Sequence, residues 1–234
     1  MSTACDALWL YGSYARGQAD DRSDCDVLAL SDSNVSEQGA FKHQGMSDRS
    51  LSISRYSWKE FESMAAYGSL FLHHLRLEGR CLYEAPGFEG RLGEILSRLG
   101  PYRRARADLQ GFRGALADVH ESLSYTGSAL YEISVLATVV RHASILGCFL
   151  LGAPDFGRFS PVVNLVRMRG LDTRIAELFP EIYSCKLLTD GRTVKVKAPT
   201  QDTVVEWLRF ASTLVNNVGG VINDYERSVS PVYT

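Results

Sequence analysis

Apolar positions change their rhythm along the chain. In the first third they come in short runs or alternate with period two, and from about residue 57 onward they recur at helical spacing. Residues 7–11 (ALWLY) form an apolar run that stops at a glycine, the pattern of a buried strand. Residues 13–17 (SYARG) suit a first helical turn, and residues 18–24 are polar and acidic, hence a loop. Residues 25–30 (CDVLAL) predict a second strand. Residues 31–49, rich in Ser, Gly, Asn and Asp, read as a mobile connection. Residues 50–56 (SLSISRY) alternate: Leu51, Ile53 and Arg55 point one way, Ser52, Ser54 and Tyr56 the other. Ser57 followed by Glu60 is a capping box opening a helix over 58–66. Gly68 interrupts before a second helix that runs to about residue 78, and Cys81-Leu82-Tyr83 suggests one more short strand.

Beyond residue 88 the spacing is almost wholly helical. It predicts helices at 88–98, 102–122, 126–151, 160–169, 172–182 and 201–226. A hairpin is expected between the last two, with KLLT and RTVKVK joined by Asp190-Gly191. The shift near Gly100-Pro101 divides the chain into residues 1–99, a small α/β region, and residues 100–234, a helical bundle. The fold class is therefore α+β. Composition adds bounds. With 234 residues, 45% of them hydrophobic and 22% charged, the chain can build a core. A net charge of -2 argues against wholesale binding of long nucleic acids. Residues 1–99 carry more acids than bases and residues 100–234 the reverse, an imbalance too small to name a partner. The apolar stretch 133–151 is interrupted by Arg141 and His142, so a core helix is expected and no membrane span. The N-terminus has no basic segment followed by an apolar one, which is not the pattern of a signal peptide. The five cysteines contain no CxxC pair, so neither a zinc site nor a disulfide framework is indicated; reduced, buried thiols suit a cytoplasmic protein.

Residues 8–30 carry the candidate chemistry. A strand ends in Gly12-Ser13, a turn and helix start follow, and a second strand opens with Asp24-Cys25-Asp26. Period two puts both aspartates on one side of that strand. Two adjacent carboxylates repel unless a positive charge sits between them. Mg²⁺, commonly held by one or two carboxylates and substrate phosphates, is the natural answer. Glycine lets the backbone approach closely, and the N–H groups of a helix start can meet a phosphate.

The set Gly12-Ser13-Tyr14-Ala15-Arg16-Gly17 and Ser23-Asp24-Cys25-Asp26 resembles the DNA polymerase beta superfamily of nucleotidyltransferases. Its GSxARG…SDxD form is similar to a small bacterial branch containing minimal and antibiotic nucleotidyltransferases. The resemblance covers residues 7–30 strongly and continues loosely to about residue 84. It implies a small mixed-sheet nucleotidyltransferase domain with the helical bundle as its companion. It also implies transfer of a nucleoside monophosphate, AMP from ATP, to a hydroxyl acceptor with loss of pyrophosphate, assisted by two Mg²⁺ ions. On that reading Asp24 and Asp26 are catalytic and hold the metal. Gly12 and Ser13 bind the β- and γ-phosphates, and Arg16 either reaches a phosphate or braces the loop. The partners are a nucleoside triphosphate and an acceptor that is a small molecule, a protein or an RNA end; no membrane partner is expected, and a homodimer is compatible with the sequence.

The resemblance also implies a third carboxylate on a later strand, where this chain has Ser52. Three sources remain open: Asp48 folding back, a general base from the helical region with Glu121 and Glu132 as candidates, or loss of catalysis with nucleotide binding kept as a regulatory or toxin-neutralising module. His73 and His74 are neighbours on a helix and point apart, a poor chelating pair. Arg141 in an apolar helix needs a partner, such as Glu132, or lines a cleft. Arg103, Arg104 and Arg106 read first as a solvated face.

Overall fold

In the computed structural model, residues 5–21, 23–32, 51–125 and 127–229 are described. Asp48 and the connection at 33–50 lie outside the described residues. The chain divides into two compact units, Met1–Arg103 and Arg104–Thr234.

The first unit is built on four strands, β1 (Ala7–Tyr11), β2 (Cys25–Leu30), β3 (Leu51–Tyr56) and β4 (Arg80–Glu84), in the order β3-β2-β1-β4. The sheet is mixed: β1 runs antiparallel to β2 and β4, and β2 runs parallel to β3. Between β1 and β2 lies a single helical turn, α1 (Gly12–Ala15), and between β3 and β4 lie α2 (Trp58–Ala66) and α3 (Leu70–Glu78). A short helix, α4 (Arg91–Ser97), follows β4.

The capping box at the start of α2 is complete. Ser57 Oγ accepts from the Glu60 amide at 3.2 Å, and the Glu60 carboxylate accepts from the Ser57 amide at 2.8 Å. Two of the orphan amides at that helix start are thereby satisfied. The next residues, Trp58 and Phe61, are buried under the sheet.

Strand alternation sorts the sheet into two faces. Ala7, Tyr11, Leu28 and Leu30 pack with Trp58, Phe61, Leu72, Leu75, Leu92 and Leu96 of the helices. Cys5, Leu8, Cys25 and Val27 form a smaller cluster on the other face, joined by Tyr14 and Leu51. Trp58 anchors the larger core. Its ring stacks on Phe88 at 5.6 Å, the Arg91 guanidinium lies 4.3 Å from its centroid, and its indole N–H donates to Asp6 at 3.0 Å.

The second unit consists of α5 (Ala105–Ser122), α6 (Ala129–Leu150), α7 (Ser160–Arg169), α8 (Arg174–Thr189) and α9 (Gln201–Val229). Helix α6 is the axis of this bundle and packs against each of the other helices in it. It is long and apolar enough to cross a membrane, yet 61% of its most apolar stretch is buried inside the protein. A largely apolar helix enclosed by others is what a bundle core requires.

The hairpin expected around Asp190-Gly191 does not form. Residues 186–189 continue α8 through Pro180 to Thr189, and residues 192–199 are in neither strand nor helix. Ile175, Phe179, Ile182, Tyr183 and Leu187 recur at helical spacing and are all buried. Their packing outweighs the turn signal. Asp190-Gly191 instead closes the helix. Gly191 adopts φ +81°, its amide bonds to Leu188 O at 3.0 Å, and the Arg192 amide bonds to Leu187 O at 2.9 Å. That is the Schellman closure, which uses a left-handed glycine just as a hairpin turn would. The Arg141 guanidinium donates to the carbonyls of Phe156 (3.1 Å) and Gly157 (3.3 Å), holding the loop before α7.

The cap of α2 sets a measurable cost. Ser57→Ala is expected to lower the unfolding free energy of the N-terminal unit by about 1 kcal/mol, read as a shift in urea midpoint with unchanged slope.

Candidate functional site

The site starts from the register of three strands. Asp26 in β2 lies opposite Tyr11 in β1 and opposite Ser52 in β3. Cross-strand partners project to the same face, so Tyr11, Asp26 and Ser52 form one row across the sheet. Asp24 precedes β2 by one residue and shares the parity of Asp26. Both aspartates are half-buried.

The turn that follows β1 is pressed against this row. Gly12 has φ +71°, and a Cβ built on it would lie 2.5 Å from Asp26 Oδ2. Any other residue would both strain the backbone and displace the carboxylate. Gly12-Ser13 and Asp26 are therefore brought together, as the motif spacing requires. The Ser13 carbonyl accepts from the Gln18 amide at 2.9 Å, which closes the turn.

Arg16, at the end of that turn, forms an ion pair with Glu78 in α3, and its Nε donates to Gln18 Oε1 at 2.9 Å. These contacts brace the turn. His74 meets the same Glu78 oxygen at 2.8 Å. Burial tends to raise the Glu78 carboxyl pKa, but the hydrogen bonds and charges of His74 and Arg16 outweigh it and hold the group below the usual carboxylate range. The two histidines do point apart: His73 Nε2 is 3.1 Å from Gly100 O, whereas His74 Nε2 meets Glu78.

Tyr11 joins the site from β1. Its hydroxyl is 2.8 Å from Ser54 Oγ, and its ring stands edge-on to His74 at 5.6 Å. Burial raises its phenol above the ordinary pKa, the hydrogen bond with Ser54 pulls the other way, and the charge of Asp26 adds to the rise. Tyr11, Ser54 and Glu78 were not singled out from the sequence, and His74 was weighed there only as half of a poor chelating pair. Of these, Tyr11 carried one usable signal: it is the residue immediately before Gly12-Ser13, at the strand end where a cross-strand neighbour must meet the second strand's start.

Residues 6–66 match the family model of the nucleotidyltransferase domain. That segment is similar to a nucleotidyltransferase domain. The match takes in β1, α1, β2, β3 and all of α2, so it includes Gly12, Ser13, Asp24 and Asp26. It is consistent with the polymerase beta superfamily and specifies no branch of it. No curated protein matches the chain.

Within this segment the donors suit a hard divalent cation: two carboxylates of equal parity, with Asp26 close against Gly12. Among the described residues no group of three or more His, Cys, Asp or Glu gathers. Ser52 holds the position beside Asp26 where the resemblance implied an acid. Water and phosphate oxygens would complete the coordination of an ion held by Asp24 and Asp26. Glu121 and Glu132 belong to the second unit. Glu121 is exposed, and Glu132 is buried in the first turn of α6, with Oε1 close to Gly127. The basic cluster is partly consumed inside that unit, where Arg106 pairs with Glu226 and Asn223.

Gly12→Ala is expected to destabilise the domain by about 1–2 kcal/mol through its left-handed backbone, seen in chemical denaturation. It should weaken Mg²⁺-nucleotide binding in calorimetry by more than that loss accounts for, because the new methyl pushes Asp26 aside.

Proposed function

We propose that this domain transfers a nucleoside monophosphate, AMP from ATP, to a hydroxyl acceptor. The observation that carries the proposal is the seating of the Gly12-Ser13 turn directly against the Asp26 carboxylate, within a segment that matches the nucleotidyltransferase domain. Phosphates held at the turn would then lie beside carboxylates able to hold a divalent cation.

In the proposed reaction the acceptor oxygen attacks the α-phosphorus, the bond from that phosphorus to the bridging oxygen breaks, and pyrophosphate leaves. The hydroxyl proton passes to a base. Mg²⁺, held by Asp24 and Asp26, would supply charge neutralisation at the phosphates. Ser13 and the Gly12-Ser13 backbone orient the triphosphate tail, and glycine at position 12 leaves room for it. Tyr11 packs the strand end between Asp26 and α3 and keeps the row in register. Free thiols support a cytoplasmic setting: Cys5, Cys25, Cys148 and Cys185 are buried and none of the five is bridged.

The test is direct. The purified chain with ATP and Mg²⁺ should release pyrophosphate when supplied with pooled hydroxyl acceptors, and Asp26→Ala should reduce release to background while the protein stays folded. Undiminished release from Asp26→Ala would reject the assignment.

A further inference from the structure

We infer that Glu78 is a positioning residue that sets the phosphate-binding turn against the Asp26 carboxylate, acting through Arg16 on one side and His74 on the other. The inference rests on the nucleotide-binding part of the proposed function. Glu78 lies beyond residues 6–66, outside the matched segment.

The starting point is a residue in an unfavourable place. Glu78 is the last residue of α3, and an acid at a helix C-terminus faces the negative end of the macrodipole. It is also withdrawn from solvent, with 14% of its side chain exposed. A partly buried charge in such a position is retained only with close partners. Glu78 has two, and both lead to the site. Arg16 belongs to the turn that carries Gly12 and Ser13, and the pair spans 62 positions of sequence. His74, one helical turn back along α3, shares the same oxygen and sets its ring against Tyr11. Tyr11 in turn is the cross-strand partner of Asp26 and bonds Ser54. A contiguous series of side chains thus runs from the turn, through one carboxylate, to the strand ends that present Asp26.

The consequence concerns Arg16. Its guanidinium is committed to Glu78 and Gln18, so it serves the nucleotide as a strut for the turn and not as a phosphate ligand. Loss of either member of the pair frees the turn to move away from Asp26, and the two losses act through one effect.

The experiment is a double-mutant cycle on the full chain, with α,β-methylene-ATP and Mg²⁺ as the probe and Kd read by calorimetry well below the unfolding midpoint. Glu78→Gln keeps the shape and removes the charge; Arg16→Met removes the other partner. Each should raise Kd by about tenfold or more, a loss of about 1.4 kcal/mol. The double variant should be no worse than the weaker-binding single, the mark of coupled residues. Glu62→Gln, which removes the exposed pair with Arg91, should leave Kd unchanged. Glu78→Asp, with its carboxylate one methylene short, should recover part of the affinity, and it replaces Glu78→Gln if that variant does not fold. A purely structural Glu78 would lower the unfolding midpoint and leave Kd at the wild-type value, which overturns the inference. Additive effects of the two single changes, or a weakened Arg16→Met beside an unaffected Glu78→Gln, overturn it as well by making Arg16 a direct ligand. If the wild-type chain binds no probe, the nucleotide reading itself fails, whereas binding by wild type and Glu78→Gln alike removes only the clamp.

Discussion

The N-terminal unit depends on a close approach. The backbone at Gly12 comes so near the Asp26 carboxylate that a single methyl would stand 2.5 Å from its Oδ2. This proximity needs three things at once: a positive φ, a residue without Cβ, and a β1–β2 register that places Tyr11 opposite Asp26. A slip of one residue in that antiparallel pairing would turn Asp26 toward the other face and leave the turn beside Cys25 or Val27. Register is secured by the apolar rows on either side of β2, Leu28 and Leu30 against the helices and Cys25 and Val27 on the opposite face. Core packing and site geometry are thus one constraint expressed at two places on the same strand.

Around that contact the polar groups are arranged at the edge of a hydrophobic core. Tyr11 is packed against Phe71 and His74, yet its hydroxyl reaches Ser54. Its raised phenol pKa records both burial and the negative charge of Asp26. The Arg16–Glu78–His74 group does a related job on the outer side of the turn. Charges that would be costly singly are tolerated because each has a partner, and the same partnerships hold the turn in place. Ser52 beside Asp26 leaves the site with less negative charge than a three-acid arrangement would have, so there is less repulsion to offset before a cation and a triphosphate are bound.

The helical unit shows how tertiary packing overrides a local signal. Asp190-Gly191 between a helical stretch and RTVKVK has the chemistry of a tight hairpin, and it is used to end a helix. The decision lies with Phe179, Ile182, Tyr183 and Leu187, whose burial draws the preceding residues into α8. Arg141 makes the same point for charge. Placed in the bundle's central helix, it donates to the carbonyls of Phe156 and Gly157 in the loop before α7.

The sequence by itself determined the strands at 7–11 and 25–30, the capped helix at 58–66, the helix at 160–169 and the α+β class, because period-two and helical spacing, capping chemistry and glycine are local properties. It also displayed Gly12, Ser13, Asp24 and Asp26 as a set, since the turn and the following strand start are only eleven to fourteen residues apart. Tertiary structure decided which side chains surround that set. Glu78 and His74 are separated from the turn by more than fifty residues, and neither residue type nor spacing announces a contact over that distance. Parallel pairing of β2 with β3 put Ser52 next to Asp26, an adjacency that only the sheet order establishes. Local periodicity specifies how a segment folds; long-range register and packing specify what it meets, and the chemistry of this domain resides in those meetings.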